Sequence, residues 1–336
     1  MRIGITGEKG FIARNLALHI EKNGHEFVSI DDYTRDISKF YKQETGETCV
    51  YLNSSDEWYD IFQDLKLDVI VHNAAVVGTD VVLLNPQHAL MTNINGTQNI
   101  IDAANKAGML NVYLGTTVIY DTFLYQDIDI LEDSRINPRT NYAVQKYAAE
   151  MLTRNNAKEW LVMRPLFAYG GEGDMNSLIA KTLYGVKNNL KQIDMFLNPT
   201  KIKDYMHVDD FCNAIMIAIN SDVRNEHFNI TARNPVVTKD IISIIEDVVN
   251  TNVNQVVKWH KNTDYLGNHR LSRDKFDRMF GKVDTISLKQ GIQMSWKSIV
   301  RSNDDYNPMK HLNEAKEKNM SLKDKFPDAS RLNWID

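Results

Sequence analysis

Apolar positions fall in short runs that alternate with helical repeats. "RIGIT" (2–6) is an apolar run of strand length, and "FIARNLALHIEKNG" (11–24) spaces its apolar residues three and four apart before a closing glycine. The alternation continues through strand-like "HEFVSID" (25–31), helical "EWYDIFQDL" (57–65) and strand-like "DVIVHNAA" (68–75). Helical "NINGTQNIIDAANKAG" (93–108), strand-like "NVYLGTT" (111–117), helical "NYAVQKYAAEMLTRN" (141–155) and strand-like "WLVMRP" (160–165) complete it. Strands separated by helices need right-handed crossovers, which predicts an α/β fold built on a doubly wound parallel sheet.

Beyond residue 170 the pattern loosens into glycine- and asparagine-rich connections with scattered helices, the expected form of a smaller substrate-binding region over the sheet's carboxyl edge. The expected division is 1–170 for the sheet domain, with a segment near 204–232 returning to it. Residues 171–300 are then mainly the substrate region, and 301–336 a polar tail.

At 336 residues, 43% hydrophobic and 25% charged, the chain has the make-up of an ordinary soluble globular protein. A net charge of −5 offers no general attraction to nucleic acid or to an anionic membrane, so any bound anion needs a local site. No apolar run approaches the roughly 18 residues of a membrane span, and the first ten residues lack the apolar core of a signal peptide. Cys49 and Cys212 are far apart, without disulfide-framework or metal-ligand spacing. A cytoplasmic protein without a metal is expected. His207 in "YMHVDD" has no second ligand at metal spacing, and Asp209 and Asp210 are expected to cap the helix "FCNAIMIAI".

Candidate chemistry begins at "TGEKGFIA" (6–13), which follows a strand and opens a helix. Gly7 and Gly10 let the backbone turn tightly toward a pyrophosphate at the helix N-terminus, and Ala13 fits where helix and strand pack closely. A ligand-free glycine turn is the plainer alternative. Asp31 and Asp32, roughly 20 residues on, stand where a carboxylate accepts from an adenosine ribose and repels a 2′-phosphate, which favours NAD over NADP; Arg35 nearby weakens that preference. In "NYAVQKYAAE", Tyr142 and Lys146 project from one helix face, and a neighbouring ammonium lowers a phenol's pKa toward useful proton transfer. Thr116, on the preceding strand, is placed to bond both Tyr142 and a substrate oxygen.

Taken in order, these motifs resemble the extended short-chain dehydrogenase/reductases, the nucleotide-sugar epimerase and dehydratase group with a Rossmann-like domain. "TGEKGFIA" is similar to TGxxGxxG with Ala13 for the last glycine, "HNAA" (72–75) to a cofactor-lining segment, and "NINGT" (93–97) to NxxGT. "LGTTVIYD" resembles S/T-x-x-V-Y-G with Asp121 for the glycine, "RPLFAYG" (164–170) resembles RxxNxYG, and "KDYMHVDD" (203–210) resembles RDYxHVxD. "FNITARNPVVT" (228–238) resembles the strand and turn before a substrate-domain helix. The resemblance implies NAD as cofactor, contacted by Gly7, Gly10, Phe11, Ile12, Asp31, Asp32, Asn53, Ala74, Ala75, Asn93 and Lys146. It implies Thr116, Tyr142 and Lys146 as the catalytic group, and a nucleotide-diphospho-sugar held by Thr117, Phe167, Lys203 and Lys261. It also implies a homodimer formed through helices around 90–107 and 141–156.

Departures from the pattern narrow the reaction. The acidic residues that follow the catalytic threonine in 4,6-dehydratases and decarboxylases are Thr117 and Val118 here. Val118 also stands where 3,5-epimerases carry a cysteine, and "GGEGDMNS" (170–177) has neither His nor Lys to partner one. What the resemblance leaves is oxidation at C4 of a hexose to a 4-keto sugar with Tyr142 taking the hydroxyl proton. Hydride return to the opposite face makes a 4-epimerase, the favoured reading. Hydride delivery from free NAD(P)H to a 4-keto substrate makes a 4-ketoreductase, and a non-catalytic nucleotide-binding regulatory subunit is the reading of another class. Phe167 replaces a substrate-holding asparagine, and Lys203 and Lys261 replace arginines, which keeps charge but loses the bidentate fork.

Overall fold

A computed structural model describes residues 1–7, 10–30, 55–125, 127–171, 173–174, 177–260 and 266–301. In chain order the elements are β1 (Arg2–Thr6), α1 (Phe11–Lys22), β2 (Glu26–Ile30), α2 (Ser55–Asp64), β3 (Val69–His72), α3 (Thr79–Leu84), α4 (Pro86–Leu90), α5 (Gly96–Ala107), β4 (Leu110–Leu114), α6 (Asn141–Asn156) and β5 (Trp160–Pro165). They continue as β6 (Ala168–Tyr169), α7 (Leu178–Lys187), β7 (Ile193–Met195), β8 (Ile202–Asp204), β9 (Met206–His207), α8 (Val208–Ile219) and β10 (Glu226–Ile230). Last come β11 (Pro235–Val237), α9 (Asp240–Val249), β12 (Val257–Trp259), α10 (Asp274–Phe280) and α11 (Leu288–Arg301).

Alternate residues of the central strands enter different cores, as a sheet covered on both faces requires. Ile3, Ile5, Val71, Val112, Leu161 and Met163 pack with Leu16 and Ile20 of α1 and Phe211 and Ile215 of α8. Between them, Ile70 turns to Phe62 of α2 and Ile100 of α5, while Tyr113 and Val162 turn to Ala149 of α6. The six strands run in the order β10-β5-β4-β3-β1-β2, every neighbouring pair parallel. The fold is thus the expected α/β doubly wound sheet. The chain leaves β1 for β2 on one side and then crosses to β3 on the other, so the carboxyl ends of β1 and β3 open the crevice where such sheets bind ligands.

A further cluster gathers Leu178 and Leu183 of α7, Ile241 and Ile245 of α9, and Ile292 of α11. β8 joins this region through an antiparallel pairing with β11, Lys203 opposite Val236.

Two local readings are corrected. Helix is already present at α4, where Pro86 takes the first turn and Asn85 caps it by accepting from the His88 amide at 3.1 Å; a π turn, Met91–Asn95, then leads into α5. The cap of α8 is His207, whose Nδ1 accepts from the Asp209 amide at 3.3 Å. Asp209 and Asp210 lie inside the first turn instead, and Asp210 accepts from the Ile286 amide at 3.0 Å.

Candidate active site

Gly7 leaves β1 with φ 70°, and a Cβ there would lie 2.8 Å from the Ala74 Cα. Backbone sits on both sides of that contact, so only glycine fits. The Gly10 amide donates to the Gly7 carbonyl at 2.9 Å, and Gly10 caps α1 without any side-chain acceptor. The first-turn amides of α1 are therefore left for an anion at the positive end of the helix. Phe11 and Ile12 pack partly buried on the core beneath, and Ala13 is fully buried in it. This cradle fits a dinucleotide pyrophosphate.

The loop after β3 faces the cradle and is held by a one-way chain of hydrogen bonds. The Asn73 and Ala74 amides donate to Thr6 Oγ1 at 3.2 and 3.1 Å, which donates to His72 Nδ1 at 2.8 Å. His72 Nε2 donates to Thr97 Oγ1 at 3.0 Å, which donates to the Asn93 carbonyl at 2.8 Å. Burial first, and then the charge of Lys146, hold His72 neutral, its pKa lowered to about 3. Asn93, brought inward by the π turn, clamps Val76: its Oδ1 accepts from the Val76 amide at 2.7 Å and its Nδ2 donates to the Val76 carbonyl at 3.1 Å. Ala75, between these anchored residues, is partly exposed.

Thr140 caps α6 by accepting from the Ala143 amide at 3.1 Å. One turn on, Lys146 is buried, donates to the Leu114 carbonyl at 2.7 Å and lies 4.3 Å from the centre of the Tyr113 ring. Burial lowers its ammonium to about 7, against the opposing pull of Glu150. Tyr142 is half-buried against Val76, Val82 and Ala89. Thr116 caps the 3₁₀ turn Thr117–Ile119, accepting from the Val118 amide at 3.4 Å, and this turn packs on α6. The structure thus gathers Gly7, Ala74, Asn93, Thr116, Tyr142 and Lys146 around the carboxyl ends of β1, β3 and β4.

Thr117 behaves differently. Its hydroxyl donates to the Pro165 carbonyl at 3.2 Å, and its own carbonyl accepts from His269 Nε2 at 3.1 Å. Beyond it, Phe167 holds φ 22°, a left-handed backbone that a bulky residue adopts only when its surroundings impose it. Its ring meets Tyr205 at 5.7 Å and His269 at 5.5 Å, and the Lys203 Nζ lies 5.0 Å from its centre. Lys203 itself is buried. Asp31, Asp32, Arg35, Cys49, Asn53, Lys261 and residues 302–336 lie outside the described residues.

Three supports escaped the reading of the sequence. Glu150 and Arg164, both buried, pair through two bonds of 2.5 and 2.9 Å directly beneath Gly115, and Arg164 also donates to the Tyr120 hydroxyl. Asp121 accepts from Arg139 at 3.3 Å and Asn137 at 3.1 Å, pinning the segment that leads into Thr140. Gln145, buried on α6, accepts from Asn93 at 2.8 Å. Glu150 follows Lys146 by one turn, a spacing that could have drawn notice; nothing local in the sequence announces the other two.

Among the described residues no group of three His, Cys, Asp or Glu side chains is arranged to hold a metal, and no helix is long and apolar enough to cross a membrane.

A sequence model of the NAD dependent epimerase/dehydratase family matches residues 3–231. A UDP-N-acetyl-α-D-glucosaminuronate decarboxylase of Bacillus cytotoxicus is 24% identical over 255 residues, 73% of this chain and 78% of its own. A UDP-glucuronate 4-epimerase of Thermodesulfobacterium geofontis is 22% identical over 306 residues, 86% of this chain and 93% of its own. Among solved structures, the UDP-glucuronic acid 4-epimerase of Bacillus cereus, in complex with UDP-glucuronic acid and NAD, superposes with a TM-score of 0.76 at 21% identity, covering 89% of this chain and 99% of that one.

Proposed function

The chain belongs to the NAD-dependent epimerase/dehydratase family, with NAD as its cofactor, and within that family we propose that it is a nucleotide-diphospho-sugar 4-epimerase working through a transient 4-keto sugar. The observation that carries this reading is the contrast between two neighbouring threonines. Thr116 caps its turn beside α6, whereas the Thr117 hydroxyl is committed to the Pro165 carbonyl and Val118 has no proton to exchange. A dehydratase or decarboxylase needs a further acid or base that these two positions do not offer.

Bound NAD supplies the acceptance and return of hydride at the sugar carbon. Tyr142 takes the proton of the C4 hydroxyl and gives it back, Thr116 bonds the same oxygen, and the Lys146 ammonium favours the phenolate. Gly7, Gly10, Phe11, Ile12, Ala74, Ala75 and Asn93 shape the cofactor cradle. Residues 171–300 are mainly the substrate region, whose buried Lys203, with Phe167 from the end of the sheet domain, serves the diphospho-sugar. The relative named UDP-glucuronate 4-epimerase supports a UDP-hexose or UDP-hexuronate as the substrate class. Leu90, Met91 and Val144, apolar yet exposed on α4, the π turn and α6, support a homodimer through these helices.

The test is to denature the purified protein and identify the released nucleotides by mass spectrometry, then to follow UDP-sugars by NMR without added cofactor. Retained NAD and C4 inversion are expected. A protein that releases no nucleotide and consumes NADPH stoichiometrically is a ketoreductase instead.

A further inference from the structure

Asn93 has two amide hydrogens and both are engaged, one on the Val76 carbonyl and one on Gln145 Oε1 at 2.8 Å. Its oxygen takes the Val76 amide at 2.7 Å. The carboxamide plane that holds the loop after β3 therefore has one side-chain tie outside that loop, and the tie runs to α6. Gln145 is buried and stands between Tyr142 and Lys146 in sequence. The circuit closes through packing, because Tyr142 packs on the apolar cluster that Val76 forms with Val82 and Ala89. Val76, Asn93 and Gln145, with Tyr142 packed on the Val76 cluster, thus join the helix to the loop at two places.

We propose that Gln145 is a positioning residue that couples the cofactor-facing loop Asn73–Val76 to the catalytic helix, through the single hydrogen bond from Asn93. Shortening or removing this acceptor leaves a buried amide hydrogen without its partner, and either Asn93 turns or the loop shifts. Both outcomes disturb the face opposite Gly7, where Ala74 sits against the glycine backbone. A loop that must be re-ordered before it can bind lowers affinity by the fraction of molecules that hold the competent form. The proposal rests on the reading of this face as the cofactor site.

The experiment is a titration of the full-length protein, first freed of any retained nucleotide, with NADH, following its fluorescence, alongside thermal melts of the same preparations. Gln145→Leu, similar in bulk but without an acceptor, is expected to bind NADH about tenfold more weakly, the size set by one unpartnered buried amide. Gln145→Glu keeps an acceptor at the same reach and is expected to return affinity to within about threefold of wild type. Rescue by charge-bearing Glu, whatever its melting temperature, is a pattern that loss of general packing does not produce. If Gln145→Leu fails to fold, Gln145→Ser, too short to reach Asn93, takes its place with the same expected weakening. Wild-type affinity in the variant lacking the acceptor, or no recovery in Gln145→Glu, overturns the coupling alone. Failure of the wild-type protein to bind NADH overturns the cofactor reading and the coupling with it.

Discussion

The Nζ of Lys146 donates to the carbonyl oxygen of Leu114 at 2.7 Å, two residues before Thr116. This bond fastens α6 to the end of β4 and fixes the height at which Tyr142, one turn earlier, stands beside the 3₁₀ turn. Tyr142→Phe keeps the ring and its packing on Val76 and Val82 but removes the exchangeable proton. Turnover is expected to fall roughly 10²–10⁴-fold, the worth of one positioned acid–base group, while NADH titration stays near wild type. Turnover within a factor of a few of wild type would take Tyr142 out of the chemistry.

Gly7→Ala tests the cradle. The added methyl meets the Ala74 backbone and the residue is held at φ 70°, so neither a rotamer change nor a side-chain shift relieves it. A cost of about 1–3 kcal/mol in stability is expected from the backbone alone, with NADH affinity lowered as the loop moves away. Chemical denaturation and fluorescence titration read the two effects separately.

Glu150 and Arg164 are buried as a doubly hydrogen-bonded pair. Removing either partner strands the other charge, and Glu150→Gln or Arg164→Met is expected to cost about 3–5 kcal/mol in urea denaturation. The double variant Glu150→Gln/Arg164→Met should lose less than the sum of the two, because no uncompensated charge remains. Additive losses would mean that the pair acts only by packing.

His72 makes one contribution to the pH dependence of stability, alongside the buried His227 and His269, whose pKa values are also lowered. Its folded pKa lies below its unfolded value, so the unfolded chain binds the extra proton between about pH 6.5 and 3. The contribution is fully present above that window and is lost as pH falls through it. At pH 5 the expected loss is about 2 kcal/mol relative to pH 7.5, from about 1.5 units of the shift. Denaturation free energies at the two pH values check it, with His72→Gln expected to reduce the difference by about that amount and leave the share of His227 and His269.

The exposed side chain of Val144 tests assembly. Val144→Arg sets a charge on the exposed apolar face proposed for the dimer, and light scattering is expected to report monomer where wild type is a dimer. A monomeric wild type removes the dimer from the proposal.

Much of this was legible in the sequence because it depends on local order. The strand and helix succession to Pro165 follows from apolar spacing, and Gly7 with Ala13 from the fit of a helix against a strand. What was hidden depends on contacts between distant segments. The π turn at Met91–Asn95 carries Asn93, whose side chain reaches Val76, 17 residues earlier. Val76 and Gln145 gave no sign that they share a carboxamide. The resemblance implies Thr117 as a substrate contact, and the turn gives its hydroxyl hydrogen to the Pro165 carbonyl at the end of β5, a partner the sequence does not show. His207 was passed over as a cap because acidic residues usually take that place, although its ring nitrogen accepts the same amide.

The hydrogen-bond chain through His72 runs in one direction only, and that direction has a chemical consequence. Thr6 Oγ1 already receives two amide hydrogens, from Asn73 and Ala74, and gives its own to Nδ1. A proton on Nδ1 turns that nitrogen from acceptor to donor, so three donors then converge on an oxygen with two lone pairs. One amide must let go, and both candidates belong to the loop that faces Gly7. A proton on His72 is therefore felt at the loop that faces Gly7. On titration downward, NADH affinity is expected to fall as this nitrogen takes its proton, and fluorescence titration at stepped pH reads the fall.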